Sequence, residues 1–215
     1  EKAEDFETAV HDLIKEYMTE HQRIIFNGNG YSDEWVVEAE KRGLPNIKSM
    51  IEAASTLTSE KAVALFEKFG IYTKAELESR EEIIYETYAK TINIEALTMI
   101  DMAGKQIIPA VVKYTKTLAD TANAIKAAGG DASVQTELLA DVSTKLAAMQ
   151  KELNKLVADE KEASAMEDVK AQAFFYKDTI KATMDELRKP ADELEMIVDK
   201  DVWPIPTYGE LMFEV

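Results

Sequence analysis

The stretch Ile125-Lys-Ala-Ala-Gly-Gly-Asp-Ala-Ser-Val134 decides how this chain folds. Glycine takes the left-handed conformation that ends a helix without steric cost, so Gly129-Gly130 reads as a stop. Asp131 or Ser133 then restarts the next helix. Before the stop, Leu77, Ile84, Tyr88, Ile92, Leu97, Ile100, Ile107, Ile108, Val111, Leu118, Ala122 and Ile125 recur mostly at helical spacing. After it, Leu139, Val142, Leu146, Met149, Leu153 and Leu156 follow the alternating steps of a coiled-coil seam. A turn this short joins only antiparallel neighbours. The pattern predicts an all-α fold built on a long helical hairpin over residues 73–189, with its turn at 129–130. Ile125 should face Val134, Leu118 should face Val142, and Val111 should face Met149.

Thr73 is the expected N-cap of the hairpin, and Glu76 completes a capping box with it. Gly104 and Pro109 interrupt the first long helix. Proline removes a backbone donor and clashes with the carbonyl four residues back, costing ~3 kcal/mol in a helix interior. A kink, or two helices nearly in line, is expected there. Beyond Pro109 the stripe is narrow and rich in Ala. Before it the helix carries Ile and Tyr, and the second helix offers Phe174, Phe175, Tyr176 and Ile180 opposite. A thick base and a thin two-helix arm follow from that contrast.

Outside the hairpin, short helices are expected over residues 1–72, packing on its base. The first runs from about Lys2 to Ile25 and should bury Phe6, Val10, Leu13, Ile14, Tyr17, Met18 and Ile24. Ser32 caps the second, with Trp35, Val36 and Ala39 as its apolar face and Gly43 and Pro45 at its end. Asn46 caps a weak helix with Ile47, Met50 and Ile51. Thr58 caps the next, with Val63, Phe66 and Phe69 inward and Gly70 at its end. Residues 190–215 should hold a short helix starting at Pro190 with Leu194, Met196, Ile197 and Val198. An extended tail, Val202-Trp-Pro-Ile-Pro-Thr-Tyr208, then docks on the body. The whole reads as one domain.

The totals narrow the function. The chain has 215 residues and no cysteine, which removes disulfides, thiolate metal sites and a cysteine nucleophile. A net charge of −16 repels phosphate backbones and anionic membranes, so neither nucleic acid nor membrane is an expected partner. No apolar run is long enough to span a bilayer. The chain starts at Glu1 inside an amphipathic helix, without a signal peptide, as an excised domain would.

No catalytic, cofactor-binding or metal-binding residue stands out. Asn27-Gly28-Asn29-Gly30 fits an anion nest, but no strand precedes it, and a tight turn between helices is favoured. His11 and His21 lack the spacing of a bundle metal site, and Glu7 with His11 is too few ligands for one. Asp159-Glu160 with Glu162, and Glu78 with Glu81-Glu82, read as solvated helix faces. Met99, Met102, Met149, Met166 and Met184 read as core filler. No nucleophile elbow or triad pattern surrounds any Ser or Thr.

Three stretches carry a resemblance. Arg23-Ile-Ile-Phe-Asn-Gly-Asn-Gly-Tyr-Ser-Asp-Glu-Trp35, with Glu40-Lys-Arg-Gly-Leu-Pro-Asn46, resembles the C-terminal region of type III glutamine synthetases. So do Lys90-Thr-Ile-Asn-Ile-Glu-Ala-Leu-Thr-Met-Ile-Asp-Met102 and Gln106-Ile-Ile-Pro109, and the closing Trp203-Pro-Ile-Pro-Thr-Tyr208 with Glu210-Leu-Met-Phe213. The middle, 115–165, matches only in helical character. The resemblance implies a parent enzyme that joins ammonia to glutamate with ATP and divalent metal ions, in a large ring-shaped oligomer. Its catalytic motifs lie upstream, on a β-rich domain, and none occurs here. The implied role is a non-catalytic C-terminal domain contacting the catalytic domain of its own chain and neighbouring subunits, in the cytoplasm. The alternatives are a free-standing helical module that grips a partner with its coiled-coil arm, and a bundle with a hidden ligand site.

Overall fold

Every regular element among residues 5–206 and 208–213, which the computed structural model describes, is a helix, as the all-α reading requires. The chain divides into two compact units, Glu1–Ala53 and Ala54–Val215.

The first unit begins with α1, Phe6–Glu20, whose N-cap Asp5 accepts from the Thr8 amide. It ends before the expected Ile25, the expected start at Lys2 lies outside the described residues, and its apolar face is not buried. Phe6, Leu13, Ile14, Tyr17 and Met18 are all exposed, Phe6 by 75%. Helical spacing reveals that a face is apolar, but not what covers it. A single 3-10 turn, Gln22–Ile24, and a loop lead to α2, Asp33–Lys41. The short α3, Met50–Ala54, ends at the unit boundary. It starts later than Asn46 implied, and Ser49 caps it instead by accepting from the Glu52 amide.

The second unit opens with α4, Glu60–Lys68, capped by Ser59 rather than Thr58. Phe69 is exposed, against expectation. Then α5, Lys74–Met102, a π turn at Ala103–Ile107, and α6, Ile108–Ala127, run without a break for about 80 Å. The Thr73–Glu76 capping box is present in full. Pro109 is accommodated without a broken helix. In the π turn ahead of it, the Ile108 amide bonds the Ala103 carbonyl, a wider loop that relieves the clash a proline brings. The buried stripe of α5 uses Tyr85, Ala89 and Ala96, while Leu97 is exposed.

The turn forms as its glycines dictate. Gly129 sits at φ +78, its amide bonds the Lys126 carbonyl, and the Gly130 amide reaches back to Ile125. This is a Schellman closure. Asp131 accepts from the Ser133 amide, and α7, Ser133–Ser164, returns along α6. Val142, Met149, Leu153 and Leu156 of its seam are buried. Gly104 faces Leu153, as an antiparallel register about this turn requires.

One departure reshapes the base. The second helix does not continue to Lys189. It stops at Ser164, and Asp168 caps a new start by accepting from the Ala171 amide at 2.7 Å. From there α8, Val169–Phe175, a second π turn at Tyr176–Ile180, and α9, Lys181–Glu195, form a third helix. Lys170 meets Glu81 and Phe174 meets Tyr85, so α8 runs parallel to α5. Thr183 bonds Asp159 and Lys145 pairs with Glu193, so α9 runs antiparallel to α7. The base is therefore a three-helix bundle, and the stretch of α6 and α7 beyond Lys145 is a two-helix arm. Pro190 does not start a helix; it lies buried inside α9, between Leu187 and Leu194 on the face turned to the core. Burial of that face compensates the one backbone bond that proline forgoes.

After α9 the chain turns at Asp199, whose carbonyl accepts from the Val202 and Trp203 amides, both at 2.9 Å. Val202, Trp203 and Ile205 pack against the core. The tail is extended only to Pro206, since α10 covers Tyr208–Phe213, while Thr207 lies outside the described residues.

Candidate functional site

Three constellations gather polar or aromatic groups. The first organises the loop after α1. Phe26 stacks on Trp35 with ring centroids 4.2 Å apart, and the Arg42 guanidinium lies 5.9 Å from each ring. Arg42 also donates to the Ile25 carbonyl at 2.5 Å, the Arg23 carbonyl at 3.2 Å and Glu38 at 2.6 Å. That guanidinium bond is the main reason the Glu38 carboxyl sits below its ordinary range. Within the loop, Asn29 accepts from the Tyr31 amide at 3.0 Å, and its carbonyl accepts from Ser32. Asn27 to Gly30 thus form a turn shaped by their own side chains. Gly28 packs under Phe26 so closely that a Cβ would lie 2.5 Å from the ring.

The second constellation lies at the foot of the bundle. Glu81 is only 8% exposed, although its acidic surroundings suggested a solvated face. The Thr58 hydroxyl and the Tyr85 phenol each donate to it at 2.6 Å, and the Lys170 ammonium stands 3.5 Å away. Burial pushes its carboxyl up, but the two hydroxyl bonds and the Lys170 charge outweigh that and hold it below its ordinary value. Asp159 also finds a donor on a facing helix, accepting at 2.7 Å from Thr183, a threonine 1% exposed. An acidic run in sequence does not reveal which member finds a donor across the bundle.

The third is a cavity of about 370 Å³ where the tail crosses the bundle. Its walls are Met99 and Met102 of α5, Met149 of α7, Leu187 and Ala191 of α9, and Trp203 and Ile205 of the tail. Arg188, Asp192 and Glu195 stand at its polar edge, with Leu211 of α10. The Trp203 Nε1 is buried and has no hydrogen-bond partner among the described residues. The sequence marks the methionines and Trp203 as core groups; that they enclose space depends on the return of α9 along α7.

Among the described residues no group of three or more His, Asp or Glu side chains could hold a metal ion. His11 lies beside Asp12, 3.4 Å away, and His21 stacks near Tyr17. No helix there is long and apolar enough to cross a membrane.

Comparison with known proteins agrees with the three stretches quoted above. The glutamine synthetase C-terminal domain family matches residues 9–126. A glutamine synthetase of Butyrivibrio fibrisolvens is 39% identical over 214 residues, covering 99% of this chain and 31% of its own length. The type-3 glutamine synthetase of Dictyostelium discoideum is 34% identical over 218 residues, covering 99% of this chain and 30% of its own. A glutamine synthetase of Bacteroides fragilis is 30% identical over 211 residues, or 95% of this chain and 29% of its own. The chain spans about a third of the length of these curated relatives. With an all-α architecture and a family match over more than half its residues, this chain belongs to the family of glutamine synthetase C-terminal domains.

Proposed function

We propose that this domain is a non-catalytic, structural part of a type III glutamine synthetase. In this reading the catalytic part of the parent uses ATP and divalent metal to ligate ammonia to glutamate in the cytoplasm. The helical domain contacts the catalytic part of its own chain or a neighbouring subunit. The observation that carries the reading is the stripe of α1, where Phe6, Leu13, Ile14, Tyr17 and Met18 all stay exposed on one helix. An apolar face of that extent, on a chain about a third as long as its relatives, fits a surface that another part of the enzyme covers.

Two experiments test it. The 215-residue chain, given ATP, magnesium, glutamate and ammonia, is expected to release no phosphate above background; turnover would overturn the non-catalytic reading. In the full-length enzyme, Leu13→Glu combined with Ile14→Glu is expected to reduce assembly size by light scattering and to lower thermal stability. An unchanged oligomer with an unchanged melting temperature would overturn the contact role.

A further inference from the structure

The cavity beneath Trp203 has a feature that packing alone does not explain. Its walls are apolar, and three of them are methionines, whose flexible thioethers adapt to varied shapes. Its volume, about 370 Å³, lies in the range of small-molecule pockets. At its edge Arg188 and Asp192 pair with each other at 3.1 Å. Glu195 lies on the same wall, half-buried, with no cation and no hydrogen-bond donor beside it among the described residues. Glu195 is also the last residue of α9, a helix with no basic side chain in its final turn. The negative end of the helix dipole therefore adds to the carboxylate charge, where a cation would be favoured on both counts. The Trp203 ring, another residue lining the cavity, adds a surface that attracts cations.

We propose that this cavity binds a small hydrophobic amine, with its apolar body among Met99, Met102, Met149 and Leu187 and its ammonium on Glu195. The chemistry selects against other ligands of similar size. An anion meets Glu195 and a protein of net charge −16. A neutral molecule fills the apolar walls but leaves the half-buried carboxylate without a partner. The site is independent of the structural role proposed above: it needs only the second unit, and its failure would leave that role untouched.

Isothermal titration of the 215-residue chain tests it with three probes of one shape: 4-phenylbutylamine, 4-phenylbutanol and 4-phenylbutanoate. The amine is expected to bind one to one, about tenfold more tightly than the alcohol, the ratio given by one moderate charged contact. The carboxylate should bind more weakly than either. Glu195→Gln should bring the amine to the level of the alcohol and leave the alcohol unchanged. Ala191→Leu, which fills the cavity from a helical position, should weaken amine and alcohol together. No saturable amine binding overturns the proposal. So does equal affinity for amine and alcohol, or an amine preference that survives Glu195→Gln in a variant of unchanged melting temperature.

Discussion

The Tyr85 phenol donates to Glu81 at 2.6 Å, one turn away along α5, and that carboxylate is the point where three segments of the second unit meet. Thr58 comes from ahead of α4, Lys170 from α8, and Glu81 and Tyr85 from α5. Losing the carboxylate strands two hydroxyls, and a buried polar group left without its bond costs roughly 1–3 kcal/mol. Glu81→Ala should therefore lower stability by about 2–4 kcal/mol, on the scale of the larger single-site effects. Tyr85→Phe removes one donor only and should cost less. The double variant should fall short of the sum of the singles, because both act on one bond. Urea unfolding of the four proteins checks this; strict additivity would show that the contact carries no energy.

The same carboxylate makes stability depend on pH. Its folded pKa is held below the ordinary value of 4.5. A lowered folded pKa means that its contribution is fully present above the unfolded pKa and is lost as pH falls through the folded one. Stability should decline as pH drops below about 4.5, and more gently in Glu81→Gln. Melting temperatures of both proteins across the acid range decide this. Parallel curves would assign the acid sensitivity to other groups.

Trp203 poses a question of sign. Truncating a large aromatic to Ala costs ~3–5 kcal/mol when it is fully buried. Trp203 is half-buried, so Trp203→Ala should cost toward the lower end, about 2–3 kcal/mol. Trp203→Phe gives up some area but also removes an indole N–H that has no acceptor, which offsets it by roughly 1–3 kcal/mol. The Phe variant should therefore melt close to wild type, and Lys151→Ala on the exposed face of α7 should be neutral. In a Trp35→Phe background, Trp203 emission should be blue-shifted and protected from quencher. A water-like emission would show that the tail does not dock.

The arm should open before the base. Beyond Lys145 only α6 and α7 remain, and the seam there is built from Leu118, Ala122 and Val142. Local opening follows local burial. Amides of 122–136 should exchange with solvent faster than those of 85–100, read by mass spectrometry of the exchanging chain. The reverse order would place the weak region in the bundle.

Much of this fold is legible in the residues. The Thr73–Glu76 box, the glycine stop at 129 and the seam from Val142 to Leu156 all sit where local rules put them. The break at 165–168 is hard to read because its signal is one capping residue, Asp168, inside a stretch whose apolar pattern continues on either side. Pro190 misled in the opposite sense: it reads as a helix start by propensity, yet burial between Leu187 and Leu194 keeps it inside α9. The burial of Glu81 was illegible because its partners Thr58 and Lys170 are far away in sequence. The outward face of α1 was illegible for a different reason, since amphipathic spacing does not specify a partner.

The π turn at Ala103–Ile107 holds one more lesson, about spacing. Buried positions on the first long helix keep a seven-residue beat at Ala89 and Ala96, and again at Ala103. Ala110 continues the beat and is buried, but the deepest position past the π turn is Val111, at 0%, and from there the beat runs on to Leu118, one residue late. In an unbroken α-helix that delay would rotate the arm's apolar face by about 100° and turn Val111 and Leu118 away from α7. The wider turn takes up the surplus residue, so both halves of the helix face the same neighbour. This segment is thus where the chain has a residue to spare. Deleting Lys105 would leave ordinary helical spacing and a continuous stripe, whereas the same deletion at Lys116 would put Leu118 and Ala122 out of phase with Val111.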